Sequence, residues 1–466
     1  MKGITIFFAF FLMARLYGQS ENYTPLQVDD NGAKALSEVI TRSYKSILPP
    51  DVKTGINKTQ LYRDCDLELK DIFRRGNVLY GDTLSNYVAS VALKLSALRP
   101  VLKGAYHIYI LKTTEPNAFS YPDGSILVTM GLLARLRSES QLAFVLGHEM
   151  GHLLKKHGEK EFEKEYNLEK DFKMATIGND NSFRVLMHYS QEYEMEADAV
   201  GVELMAGAGY NPNESIKAQS IIEKDDTFEN YVKIDLKKYF NSPDFNIDSI
   251  KKTSSSDSRV SVFSHQVDFS TDGPDDKHST HPDLDKRLIA MKEIISNMQG
   301  TIPQPVQDST TYTHIRYIAK MEDIQIAFNE GDYTESLYLS LHALDQNPKN
   351  KYLYLMVARN ILWLANYEEN DVLNEAIKGQ NNMYGRHYKE VEKFIESLSP
   401  TDFKKLAYSY IKSHYQAGGK DEELAFYMAY IAEFYLGPGI SNFYYTQYLK
   451  TFPQGKYASF AGSKLQ

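Results

Sequence analysis

His148-Glu149-Met150-Gly151-His152 is an H-E-x-x-H string. On an α-helix, side chains four positions apart stand on one face, one turn apart. Two imidazoles so placed suit two corners of a tetrahedral zinc site. Glu149 falls on the adjacent flank, where a carboxylate reaches the attacking water without taking a coordination position. Gly151 lets another segment come close beside the metal. Two histidines leave zinc short of the third protein ligand that catalytic sites usually carry. The best candidate lies in Glu194-Met195-Glu196-Ala197-Asp198. Glu194 and Asp198 share a helix face, so Glu194 can bind the metal while Asp198 accepts the free ring N–H of a ligating histidine. Glu196 points elsewhere. The pattern implies one zinc ion per chain, held by His148, His152 and Glu194, with Glu149 as the base of a hydrolysis. His157, five residues after His152, turns off the ligand face and is assigned a structural role. His107 and His188 are read as satisfied or surface residues.

These residues need two helices and something to present a substrate. Leu142, Val145, Leu146, Met150, Leu153 and Leu154 recur at helical spacing, predicting a helix from 141 to about 157 with Ser138 or Ser140 at its start. A second helix is expected over 190–205, ending at Gly207-Ala208-Gly209 before Asn211-Pro212. Upstream, Leu84, Tyr87, Val88, Val91, Ala92 and Leu95 mark a helix within a mostly helical 19–100. Residues 106–111 (YHIYIL) and 125–129 (SILVT) read as strands, with Pro122-Asp123-Gly124 as a turn between them. The two strands form a hairpin or lie as neighbours in a small sheet. Asn117, Ala118 and Phe119 then offer an edge on which an extended peptide adds as a further strand.

The chain has 466 residues, more than one core usually serves, so two or more domains are expected. Its 42% apolar content fits a folded protein, and its net charge of −9 argues against nucleic acid as a partner. Met1-Lys2 followed by an apolar run over 4–13, with Leu16-Tyr17-Gly18 offering a small residue for cleavage, reads as an export signal, 1–18. That run is shorter than the roughly 20 residues a membrane span needs. The mature chain is therefore expected to be soluble or peripheral to a membrane. Cys65 is the only cysteine, so no intramolecular disulfide forms. Residues 250–280, rich in Ser, Asp and Gly, suggest a mobile loop. Gly331-Asp332-Tyr333, Ala343 and Asn347-Pro348 match the turn glycine, packing residue and closing proline of one tetratricopeptide-like unit. Thr451-Phe452-Pro453 and the aromatic stretch before it suggest a second, degenerate helical pair.

Taken in order, these motifs resemble the zinc metallopeptidase family that groups the CAAX prenyl protease, the HtpX heat-shock protease, the mitochondrial Oma-type proteases and the periplasmic BepA-like proteases. The matching residues are Asn117-Ala118-Phe119 with Gly124, Gly131-Leu132-Leu133, Gln141-Leu142-Ala143, the His148–His152 string with His157, Glu194–Asp198 with Gly201, and Thr280-His281-Pro282 with Arg287. They span about 80–295. The resemblance implies zinc on His148, His152 and Glu194, and a catalytic Glu149. A catalytic domain followed by tetratricopeptide-like helices is most similar to the BepA-like branch. The stretch between the two ligand motifs is too polar for a membrane helix, which sets the chain apart from the prenyl protease and HtpX branches.

The fold expected is α+β and mainly helical: a zincin-like catalytic domain with a small β-sheet over 19–300, then an all-α tetratricopeptide-like region over 301–466. His281, carried by a Pro-stiffened segment after the loop, has two roles open, a fourth zinc ligand in the resting enzyme or a donor to the oxyanion. The expected activity is a zinc metalloendopeptidase of the periplasm or outer-membrane periphery, acting on misfolded or assembling envelope proteins in quality control. The alternative is an assembly factor or chaperone whose helical repeats hold client proteins. An intact Glu149 favours the first, since a scaffold has no use for that acid.

Overall fold

The computed structural model describes residues 23–27, 58–171, 189–222, 233–250, 284–298, 310–370, 372–377, 385–418 and 421–466. Met1 to Gly18, most of 250–280 and His281 therefore lie outside the described residues. The chain divides into two compact units. One comprises Leu26–Phe228 and Asp268–Asp323, the other Met1–Pro25, Glu229–Val267 and Ile324–Gln466.

The first unit is mainly helical around one small sheet. Helix α1 (Lys58–Arg74) leads into strand β1 (Val78–Leu79) and helix α2 (Thr83–Ser96). Asp82 caps α2, its carboxylate accepting from the N–H groups of Leu84 and Ser85. Leu84, Val88, Val91, Ala92 and Leu95 of the predicted stripe are buried, as the 3.6-residue period requires. Strands β2 (His107–Leu111), β3 (Ala118–Ser120) and β4 (Ser125–Thr129) follow. The sheet order is β1-β2-β4-β3. Of the two arrangements left open for 106–111 and 125–129, they are neighbours: β2 and β4 pair in parallel, Tyr109 opposite Leu127. The turn after Pro122 serves β3 and β4, which pair antiparallel. There Gly124 takes a positive φ of 86°, and the Asp123 carboxylate accepts from the Ser125 N–H at 2.9 Å. All five residues of β4 are buried, so β4 shows no alternation.

Helix α3 (Met130–Arg135) precedes α4 (Glu139–Lys155), whose cap is Ser138. Every residue of α4 from Glu139 to Leu153 is buried. The apolar stripe thus marks one of several covered faces. Helix α4 stops at Lys156, which takes a left-handed conformation with φ 57° and donates its N–H back to His152 and Leu153. The predicted helix therefore ends earlier than 157, and α5 (His157–Asp171) starts afresh. Next come α6 (Gln191–Gly207), capped by Ser190, α7 (Glu214–Ile222) and α8 (Leu284–Asn297). Helix α9 (Thr310–Asn329) carries the chain into the second unit.

The second unit is a succession of helices: α10 (Tyr333–Gln346), α11 (Lys351–Glu369), α12 (Gly385–Glu396), α13 (Pro400–Gly418), α14 (Glu422–Tyr435), α15 (Pro438–Thr451) and α16 (Ala458–Ser463). Helix α10 packs on α11, α11 on α13, α13 on α14 and α14 on α15. Gly331, with φ 79°, makes the turn into α10, and Asn350 caps α11 beyond Pro348. Near the C-terminus the rings of Phe426 and Tyr457 stack at 4.1 Å, with Tyr445 and Tyr448 buried beside them. No described helix is long and apolar enough to cross a membrane.

Candidate metal centre

Helices α4 and α6 cross with almost no space between their backbones. A Cβ on Gly151 would lie 2.9 Å from the Cα of Ala197, and one on Gly147 would lie 3.1 Å from the Cα of Gly201. From the other side, a Cβ on Gly201 would meet the backbone nitrogen of His148 at 3.0 Å. Such separations leave no room for a methyl group. The crossing sets the short Glu194 side chain against two imidazoles of the facing helix.

His148, His152 and Glu194 form the one group of potential metal-binding side chains among the described residues, their donor atoms all within 4.8 Å of one another. The Nε2 atoms of His148 and His152 are 3.0 Å apart. Glu194 Oε2 lies 3.5 Å from the first and Oε1 3.4 Å from the second. All three residues are buried. Two facing imidazole nitrogens cannot satisfy one another well without a proton or a cation between them. A borderline cation such as zinc suits this two-nitrogen, one-carboxylate donor set, so the residues present fit the metal. Burial pushes the His148 imidazole below its usual value, against the opposing pull of Asp198, which favours the neutral ring a ligand requires.

The surrounding contacts differ between the two histidines. His148 Nδ1 lies 2.9 Å from Asp198 Oδ1. Asp198 is also gripped by Arg287 of α8, whose Nε and Nη2 donate at 2.7 and 2.8 Å. The Nη1 of the same guanidinium reaches Glu194 Oε2 at 2.9 Å. Burial alone would raise the Asp198 carboxyl. The Arg287 charge and its hydrogen bonds outweigh that and hold it below the usual carboxylate range. His152 instead stacks on Tyr189, with ring centroids 4.0 Å apart, and its Nδ1 lies 3.0 Å from His157 Nδ1. Burial first, then the neighbouring His152, pushes His157 down to about 3. Burial with the Glu149 and Glu194 carboxylates nearby raises the Tyr189 hydroxyl well above the usual phenol range. Glu196 is about a third exposed, with its Oε2 3.5 Å from Lys155 Nζ and 3.4 Å from His157 Nε2.

Glu149 is buried on α4 between the two histidines in sequence. Its backbone carbonyl accepts from Ser120 Oγ at 3.3 Å, which ties β3 to the helix of the H-E-x-x-H string. Asn117, at the entry to β3, is fixed by Thr129: its N–H donates to Thr129 Oγ1 at 2.8 Å, and that hydroxyl donates back to its carbonyl at 2.9 Å. Ala118 is buried and Phe119 half-buried. Beside His152 opens a shallow cleft walled by Leu102, Ala105, Pro122, Leu153 and Tyr189. Tyr189 and the role of Arg287 were missed by sequence reasoning. Arg287 stood out only as part of a motif, and nothing in its neighbours' types or spacing tied it to Glu194.

Residues 83–295 match Peptidase family M48. This stretch is an M48 peptidase domain. The matched stretch contains strands β2 to β4, the three donors and Arg287. The chain is 22% identical over 189 residues to the Beta-barrel assembly-enhancing protease of Yersinia pestis, covering 35% of this chain and 39% of that protein. It is 25% identical over 195 residues to the Mitochondrial metalloendopeptidase OMA1 of Schizosaccharomyces pombe, covering 37% and 57%. With the Arabidopsis thaliana protein of the same name it shares 36% over 112 residues, covering 22% and 23%. The chain thus spans between about a quarter and three fifths of the length of these relatives.

Proposed function

We propose that the chain is a zinc-dependent metalloendopeptidase. His148, His152 and Glu194 hold one zinc ion, Glu149 is the base, and Asp198 orients His148. The observation that carries this reading is the convergence of two imidazole nitrogens and one carboxylate on a single buried point, inside an M48 domain. When bound, zinc supplies the Lewis acid that polarises the scissile carbonyl and acidifies the attacking water. Glu149 takes that water's proton on a carboxylate oxygen and later delivers it to the leaving amine. Asp198 keeps the Nδ1 proton of His148 in place, so that the Nε2 lone pair would face the metal. Strand β3 lies at one end of the sheet order, with β4 on one side. An extended substrate segment pairs there along Asn117, Ala118 and Phe119, which brings its backbone past Glu149. His281 would serve either as a fourth ligand in the resting enzyme or as a donor to the oxyanion.

The finer reading is that residues 1–18 are an export signal and that the enzyme works in the periplasm or at the outer-membrane periphery. Its substrates there are misfolded or assembling envelope proteins. The charged start and apolar run support export, and the Yersinia pestis relative is named for β-barrel assembly. The helices over 301–466, with their tetratricopeptide-like unit, deliver those substrates. The competing reading is an assembly factor in which these helices do the work.

Glu149→Gln tests the proposal. We expect the variant to bind zinc as the wild type does and to lose cleavage of an unfolded protein by about a thousandfold. Cleavage at the wild-type rate would show that another group activates the water. Complementation of a deletion strain by the inactive variant would favour the assembly-factor reading.

A further inference from the structure

His157 has no part in the cleavage scheme above, yet its ring touches His152. We propose that His157 is a positioning residue for the metal: it fixes the His152 imidazole and is itself fixed by the Glu196 carboxylate. The proposal rests on the reading of His152 as a ligand.

The direction of each hydrogen bond follows from the geometry. The Nε2 of His152 faces His148 Nε2 at 3.0 Å and Glu194 Oε1 at 3.4 Å, so Nε2 is the atom given to the metal. A neutral imidazole that gives Nε2 carries its proton on Nδ1 and must donate from there. The atom 3.0 Å away is His157 Nδ1, which has to accept. The proton of His157 then sits on Nε2, and that nitrogen lies 3.4 Å from Glu196 Oε2. The chain runs one way, from His152 Nδ1–H to His157 Nδ1 and from His157 Nε2–H to Glu196.

Two further features hold this arrangement. Tyr189 stacks on His152 at 4.0 Å and 18°, and Tyr193 stacks on His157 at 4.4 Å and 9°, so each ring plane is clamped. The left-handed Lys156 ends α4 and turns the chain so that His157 returns against the far nitrogen of His152. An uninterrupted helix would have carried position 157 off to the side. The two histidines are thereby supported unequally. His148 leans on the buried, Arg287-saturated Asp198, whereas His152 leans on a neutral ring whose own anchor, Glu196, is about a third exposed and shared with Lys155. Outer contacts of this kind set ring orientation and ligand basicity.

The test uses the full chain and reads zinc affinity by competition with a chelator, alongside kcat and KM for an unfolded protein substrate. His157→Ala is expected to weaken zinc binding by about 10- to 100-fold. His157→Gln is expected to restore most of it, since its amide oxygen accepts from His152 and its NH2 donates to Glu196. Glu196→Ala, on a partly exposed position, is expected to weaken zinc severalfold while the melting midpoint of the zinc-free protein stays at the wild-type value. Equal losses in the Ala and Gln variants of His157, or unchanged zinc affinity in Glu196→Ala, would overturn the proposal. Should His157→Ala not fold, His157→Gln and Glu196→Ala decide it. A wild-type chain that binds no zinc removes the metallopeptidase reading and this proposal together. Normal wild-type zinc binding with unaltered His157→Ala and Glu196→Ala removes this proposal alone.

Discussion

Arg287 is fully buried and spends its guanidinium on two carboxylates, Asp198 at 2.7 and 2.8 Å and Glu194 at 2.9 Å. Removing one member of such a buried group strands the others, at a cost of about 3–5 kcal/mol. Arg287→Met should therefore lower the denaturation midpoint of the zinc-free protein sharply. Added zinc should recover part of the loss, because the metal takes over the charge of Glu194; no recovery would mean Glu194 does not face the metal. Arg287→Lys should fare little better, since one ammonium cannot reach three oxygens in the guanidinium's fork geometry. At this scale much was legible. Spacing alone placed His148 and His152 on one face and paired Glu194 with Asp198, because helical periodicity is local. Arg287, Tyr189 and the contact from His157 were not, because each depends on chain reversals or long-range packing that no local period encodes.

At the scale of elements, the glycines of the α4–α6 crossing decide how close the ligands come. Gly201→Val would drive a branched side chain into the backbone nitrogen of His148, 3.0 Å from a Cβ. Overpacking of this kind costs about 1–3 kcal/mol, and zinc content should fall with stability. A variant with full zinc content would show that the helices can part without loss. Helix α1 carries a separate, pH-dependent strain. Burial pushes Glu68 up to about 8, with Tyr121 of the β3–β4 turn opposing and Asp71 reinforcing the rise. The folded state thus holds a proton that the unfolded chain, with a carboxyl near pH 4, has already released. Between those values stability falls as pH rises. Glu68→Gln should raise the melting midpoint at pH 8 and leave it unchanged near pH 4; the reverse order would contradict the burial of this acid. The strands themselves were legible from Val, Ile and Tyr content, but their parallel pairing was not. Register and order come from long-range contacts, and β1, two residues long, carries too little pattern to be seen.

For the whole molecule, two compact units predict two calorimetric transitions, and the three donors belong to one of them. Zinc at a thousandfold excess over its dissociation constant should stabilise that unit by about 4 kcal/mol and leave the other transition in place. A single transition moving as a whole would show that the chain unfolds as one body. The mainly helical α+β class was legible from periodicity, since helices of this length repeat their pattern several times over. The order of synthesis adds a last consequence. A ribosome delivers His148, His152 and Glu194 well before Arg287, so an emerging chain holds every donor while the counter-charge of Glu194 and Asp198 is still missing. The charge balance of these two carboxylates is completed only once the segment bearing Arg287 has been made and has docked.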